Sequence, residues 1–150
     1  MGQIIDTVAT FLQGDGWNFE TLQQVKALVT HFYCESGQLK CHAFELEKDG
    51  ILLFYSISPI KVPEKKRQAV ACLLSRLNYG IAIGNFELNL TDGDIRFKTS
   101  IQVQDDRLSL ALVKNLIYTN VITMNEYLPS IMSTVHGDVP PEQTLADMDS

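Results

Sequence analysis

The first apolar positions, Ile4, Ile5, Val8, Phe11 and Leu12, recur at i, i+1, i+4, i+7 and i+8. That spacing draws one stripe of an amphipathic helix, which Gly14 and Gly16 bring to an end. A helix of this length is marginal alone in water, so its stripe must dock on a core. The next segment, residues 21–33, reads two ways. Leu22, Val25, Leu28, Val29 and Phe32 fit a helical stripe, whereas the β-branched and aromatic density from Leu28 to Tyr33 fits a strand. We read it as a strand ending near Cys34, since Glu35-Ser36-Gly37-Gln38 makes a turn into a second extended run.

Residues 39–58 read as a hairpin around Asp49-Gly50, a dipeptide that tolerates the positive φ angles of a tight turn. That turn pairs Leu46 with Leu53 and Phe44 with Tyr55 on one apolar face. The other face then carries Ala43, Glu45 and Glu47, but also Leu52 and Phe54. A strand apolar on both faces is either central in its sheet or covered by a partner. Pro59-Ile60-Lys61-Val62-Pro63 breaks the strand, and Pro63-Glu64 suits the first turn of a second helix over residues 63–79. Val70, Leu73, Leu74 and Leu77 form its stripe, and Gly80 stops it.

A second hairpin follows. With Asp92-Gly93 in a two-residue loop, Leu90 pairs with Ile95, Leu88 with Phe97 and Phe86 with Thr99. The same register sets Glu87 opposite Lys98 and Asn89 opposite Arg96, so apolar and charge pairing agree. Asp105 or Asp106 then caps a last helix, with apolar positions from Leu108 through Leu116, Ile117, Val121 and Leu128 to Val135. Unbroken to His136 it measures about 45 Å at roughly 1.5 Å per residue, longer than a compact domain of this size is wide. It must therefore bend or extend past the core. Pro129 is the natural bend, because its ring clashes with the Asn125 carbonyl and it donates no hydrogen bond.

The element order is α-β-β-β-α-β-β-α, which is the α+β class with a largely antiparallel sheet. A single domain spans residues 1–137. Gly137 and Pro140-Pro141 end it, leaving residues 138–150 as an acidic tail, mobile or forming a short helical turn.

Composition narrows the function. The 150 residues carry 12 Lys and Arg against 18 Asp and Glu, a net charge of −6, which disfavours a nucleic-acid surface. No apolar run approaches the roughly 18 residues of a membrane span, and no export signal opens the chain, so we expect a cytoplasmic protein that binds neither nucleic acid nor membrane. Cys34, Cys41 and Cys72 are an odd number and are expected to be reduced thiols. A zinc site is not expected. In extended chain His31 and Cys34 point to opposite faces, as do Cys41 and His42, and no pair among His31, His42 and His136 shares a face by local spacing. No G-x-S-x-G elbow, phosphate cradle or calcium loop is present, and the cluster around His136-Gly137-Asp138 reads as a helix end. Neither catalytic residues nor a cofactor are expected. Lys61, Lys65, Lys66 and Arg67 form the one basic cluster, at a helix start where positive charge is mildly unfavourable. It is a solvated face or a contact for an acidic protein partner.

Asn78-Tyr79-Gly80, Ile83-Gly84-Asn85-Phe86-Glu87-Leu88 and Asp92-Gly93-Asp94-Ile95-Arg96-Phe97-Lys98-Thr99-Ser100, set in this element order, resemble the YbjN family in its cyanobacterial form. Tyr127-Leu128-Pro129-Ser130-Ile131 is similar to the family's terminal-helix motif. Pro59-Ile60-Lys61-Val62-Pro63-Glu64-Lys65-Lys66-Arg67 is similar to its sheet-to-helix junction. The resemblance covers about residues 50–137, and Ser130 departs from the glycine often found after the proline. It implies the fold of type III secretion chaperones, small homodimers that bind other proteins, and a role as a sensory transduction regulator. No catalytic residues come with it.

The expectation is a non-enzymatic protein-binding module, chaperone-like or a regulatory adaptor, acting as a homodimer with an unidentified protein partner. Leu52, Phe54, Leu73 and Leu77 are the candidate interface, and the basic cluster is the candidate contact for an acidic partner. The alternative is a small ligand sensor or enzyme whose site forms only in three dimensions.

Overall fold

A computed structural model describes residues 3–22, 24–103, 107–137 and 140–148. Helix α1 (Gln3–Gly14) precedes strands β1 (Phe19–Leu22), β2 (Ala27–Cys34), β3 (Gly37–Leu46) and β4 (Ile51–Ile57). Helix α2 (Arg67–Gly80), strands β5 (Asn85–Leu88) and β6 (Ile95–Gln102), and helices α3 (Leu110–His136) and α4 (Pro141–Met148) complete the chain. The six strands form one antiparallel sheet in the order β1-β2-β3-β4-β6-β5. The α+β class and the antiparallel sheet hold, with two elements added. Residues 19–22 form the edge strand β1, too short and polar to show a period of its own, and the strand read from residue 21 begins at Ala27.

Both hairpins are wider than a two-residue turn makes them. Leu46 pairs with Ile51 and Phe44 with Leu53, and Leu88 pairs with Ile95 and Phe86 with Phe97. Each register is shifted by two residues from the sequence expectation. A shift of two preserves which face every side chain points to, so the alternation stays right while the partners change. The cause is the loop. Residues 47–50 contain a 3₁₀ turn closed by Gly50 at φ 64°, and residues 90–93 are closed by Gly93 at φ 82°. Asn89 organises the second loop: its backbone carbonyl accepts from Gly93 N at 2.7 Å and its side chain from Thr91 N at 2.9 Å. Leu90 is thereby left out of the ladder and exposed.

The helices cover one face of the sheet. Leu28, Leu39, Cys41, Ala43, Leu52, Phe54, Ile95 and Phe97 all point there and are fully buried against the stripes of α1 and α3. Small Cys41 and Ala43 leave the room that helices need to approach the central strands. The α1 start is held by Glu45, whose Oε1 accepts from Ile5 N at 3.0 Å, a favourable place for a carboxylate. Asn120 lies on the buried stripe of α3, and its Nδ2 donates to Phe54 O and Phe97 O at 2.9 Å each and to Thr99 Oγ1 at 3.2 Å. Its Oδ1 accepts from Ser56 Oγ at 2.5 Å. One amide thus bolts α3 to both β4 and β6 with every polar atom satisfied.

Ser109 caps α3, accepting from Leu112 N at 3.1 Å. The sequence candidates Asp105 and Asp106 lie outside the described residues. Helix α3 continues through Pro129, and the far part of its length packs against α2 and α4. Within the tail, residues 141–148 form α4, which packs on α2 and α3, with Thr144 buried 3.3 Å from Thr134 and Glu142 paired to Arg76 at 3.3 Å.

Candidate interaction surfaces

The residues picked from sequence as an interface are placed elsewhere. Leu52, Phe54 and Leu73 are 0% exposed and Leu77 is 6% exposed within the single chain. The two-faced strand β4 does have a covered side and an open side, but the helices chose the side assigned to a partner. Those four side chains are spent on the core of the single chain.

The basic cluster is mostly consumed internally. Arg67 Nε donates to Val62 O at 3.0 Å, and its Nη1 donates to Leu90 O and Thr91 O at 3.2 and 3.1 Å. Lys66 Nζ donates to Gly137 O at 2.9 Å, and Lys61 lies 3.7 Å from Asp92. These contacts give a reason for positive charge at a helix start: they strap the junction before α2 to the β5–β6 loop and to the end of α3. Val62 N donates to Gly93 O at 2.8 Å in the same strap, and a β-carbon at Gly93 would collide with the Val62 carbonyl. Lys65 alone of the four points simply to solvent.

The remaining surface of interest is the uncovered face of the sheet. Alternation places Val29, His42, Phe44, Leu46, Leu53, Tyr55 and Ile57 on it, across three adjacent central strands. Phe44 sits edge-on to Tyr55 with ring centroids 5.9 Å apart and to His42 at 5.7 Å. Leu46 is 43% exposed. Toward β5 the apolar patch gives way to charge: Arg96 Nε meets Glu87 at 2.7 Å and Lys98 Nζ meets it at 3.1 Å, while the Arg96 guanidinium lies 4.0 Å over the Tyr55 ring. Burial works to raise the Glu87 carboxyl, but the hydrogen bonds from Arg96 and Lys98 outweigh it and hold the group below its usual range.

Two histidines that local spacing kept apart share this face. His31 lies opposite Lys40 and His42 opposite Val29, so the β2–β3 register brings them to one side of the sheet. Burial, with Lys40 and His31 nearby, lowers the His42 pKa. Cys41, on the covered face, is pushed up to about 12 by burial and is a poor nucleophile. Among the described residues no three His, Cys, Asp or Glu side chains are grouped as a metal ion would need. Among the described residues no helix is long and apolar enough to cross a membrane.

The helices thus cover one side of the α+β sheet, and its other side presents aromatic, apolar and ionic side chains. Residues 5–132 match the model of the YbjN family, described as "Putative bacterial sensory transduction regulator". The chain belongs to the YbjN family. Its fold is shared with a solved structure described as "Crystal structure of YbjN, a putative transcription regulator from E. coli", at TM-score 0.60 and 14% identity, over 83% of this chain and 91% of that one. No match is found among functionally curated proteins. Asn78, in one of the motifs read from sequence, pairs its side-chain amide with both Phe86 N and Phe86 O, at 2.7 and 3.0 Å, and so occupies the outer edge of β5.

Proposed function

We propose that this chain is a non-enzymatic regulatory module that works in the cytoplasm by binding protein, and that it pairs with a second copy through the open face of its sheet. The observation that carries this reading is the set of apolar side chains Phe44, Leu46 and Leu53, partly or well exposed on the open face of β3 and β4 around the buried Tyr55 ring. Contiguous exposed apolar surface of this kind marks interaction sites on soluble proteins. The same face carries both signs of charge, Glu87 beside Arg96 and Lys98, and a two-fold contact brings such a patch onto itself with opposite charges in reach. A chaperone-like adaptor role is the form of this activity that the family resemblance supports.

The test is sedimentation equilibrium of the parent chain and of Phe44→Glu. We expect particles of twice 16.8 kDa for the parent and of 16.8 kDa for the variant, with both chains folded by circular dichroism. A parent that stays at 16.8 kDa up to tens of micromolar, or a Phe44→Glu variant that still pairs, would remove the open face from this role.

A further inference from the structure

At the β2 end of the sheet a groove of about 350 Å³ runs between the end of α1, β2 and α3. Trp17, Phe32 and Tyr118 form its floor: Trp17 and Phe32 are stacked with centroids 5.7 Å apart and planes at 27°, and Tyr118 meets Trp17 edge-on at 5.9 Å. Tyr33, 76% exposed, and His31 stand at its rim. Asp15 sits among these rings, its Oδ2 accepting from Tyr118 Oη at 2.5 Å and from Trp17 Nε1 at 3.0 Å. Among the described residues no Lys or Arg pairs with Asp15; Lys114 acts on it only through space.

One more feature borders the groove. β1 pairs only with Ala27–Thr30, so on that side His31, Phe32, Tyr33 and Cys34 have no strand partner. The ladder on that side of β2 therefore ends at Thr30, and beyond it the strand edge meets the groove that residues 15–18 share with the rings. An open strand edge is a template for an extended chain, with backbone hydrogen bonds for affinity and a neighbouring pocket for side-chain choice.

We propose that this groove binds a basic side chain, lysine or arginine, presented by an extended segment of a partner protein laid along the free edge of β2. Aromatic faces attract a cation through their quadrupole, and a carboxylate fixed in place beside them adds direct attraction. An apolar or acidic side chain has the wrong chemistry, because it strips water from Asp15 without replacing it. Tyr118, and then Trp17, hold the Asp15 carboxyl below its usual pKa by hydrogen bonding, so the group stays charged across the physiological range. The chain's net charge of −6 favours approach of a basic segment. The strand edge selects a peptide over a free amine. This inference rests on the reading of the chain as a protein-binding module; its groove meets the open face only at His31 and Tyr33, away from Phe44, Leu46 and Leu53.

Trp17 is the chain's only tryptophan, so its fluorescence reports on this groove directly. The probe is a blocked nine-residue threonine-rich peptide with a central arginine, titrated into the full chain. The comparison peptide has citrulline, which keeps the shape and loses the charge. A third arm uses blocked arginine amide alone. We expect a saturable change in Trp17 emission with the arginine peptide, and at least tenfold weaker binding for the citrulline peptide, for arginine amide and for Asp15→Asn. Tyr118→Phe, which keeps the ring and drops one bond to Asp15, should weaken binding less than Asp15→Asn. Equal binding of the citrulline peptide, or no saturable change with the arginine peptide, overturns the site. Arginine amide binding as tightly as the peptide overturns the protein source. If Asp15→Asn fails to fold, the citrulline arm on the parent chain still decides. A negative result here leaves the sedimentation result of the open face untouched, so the two proposals fail separately.

Discussion

Strand β4 carries two faces of nearly equal hydrophobicity and opposite fate. Leu52, Phe54 and Ser56 turn toward the helices and are fully buried, while Ile51, Leu53 and Ile57 turn away and stay partly wet. The covered face is aliphatic, with one phenylalanine on each central strand of the β4–β6 pair and small residues on β3 beside them. The open face is aromatic and ionic: Tyr55 reaches 8% exposure with no helix above it, because the Arg96 guanidinium and the Phe44 ring lie against it. A cation with a long apolar stem is an effective partial cover for a ring that must also meet a partner. Burial inside one chain and availability for another are thus settled by what stands beside each residue, not by its own hydropathy.

The widest separation between the faces comes from removing the same ring on each. Phe54→Ala empties a site closed on all sides and should cost about 3–5 kcal/mol of unfolding free energy. Phe44→Ala, on the adjacent strand, should cost about 1 kcal/mol in the monomer, since solvent already reaches that ring. Urea unfolding of both variants at a concentration where the chains are monomeric checks this. Equal losses would mean the open face is as much a core as the covered one.

Parity was readable along the chain, and depth was not. The stripe Ile5, Val8, Phe11 and Leu12, the helix over Val70, Leu73, Leu74 and Leu77, and the alternation of both hairpins all emerge from spacing alone, because a period of 3.6 or 2 fixes a face wherever the loop ends. The loops themselves misled. Asp49-Gly50 and Asp92-Gly93 read as two-residue turns, yet each glycine closes a four-residue loop, and the signal that could have shown this is Asn89, two residues before Thr91 in a position to organise a turn with its side chain. The choice of face on β4 was illegible for a different reason: both sides are apolar, and only the small residues Cys41 and Ala43 on the neighbouring strand favour helices on one of them. His31 and His42 come together through strand register, which no local spacing contains. The groove at Asp15 joins a helix end, a strand and the first third of α3, separated by up to 103 residues.

Asn120 was equally hidden, an amide among Leu116, Ile117 and Val121 that reads as a break in a stripe. It gives the second contrast between the faces, since the covered one keeps a fully buried polar node and the open one keeps its polar groups in partial contact with solvent. Asn120→Ala should lower stability by about 2–3 kcal/mol, because Ser56 and Thr99 each lose a partner in a dry site while a cavity opens. Glu87→Gln on the open face should cost less than about 1 kcal/mol, as its ion pairs are partly solvated. Thermal melts rank the two directly. A Glu87→Gln loss matching that of Asn120→Ala would show that charge on the open face organises the fold and not only the surface.

The smallest effect tests the open face through protons. Burial, then Lys40 and His31, lower the His42 pKa from 6.5, with Asp94 opposing them. The unfolded chain therefore takes up a proton on this group before the folded chain does. Stability from His42 is complete above about pH 6.5 and falls as the pH drops below it, until the folded pKa is reached. Glu87, held low, stays ionised over that window and adds no slope there; its own contribution is lost only at more acidic pH, below its ordinary 4.5. Pairing through the open face removes His42 further from water, so dimer dissociation should steepen the same fall between pH 7.5 and 5.5. We expect sedimentation at fixed concentration to show dissociation across that interval, and His42→Gln to flatten it. A dimer indifferent to pH in both chains would place its contact away from His42, on the part of the sheet that faces neither histidine.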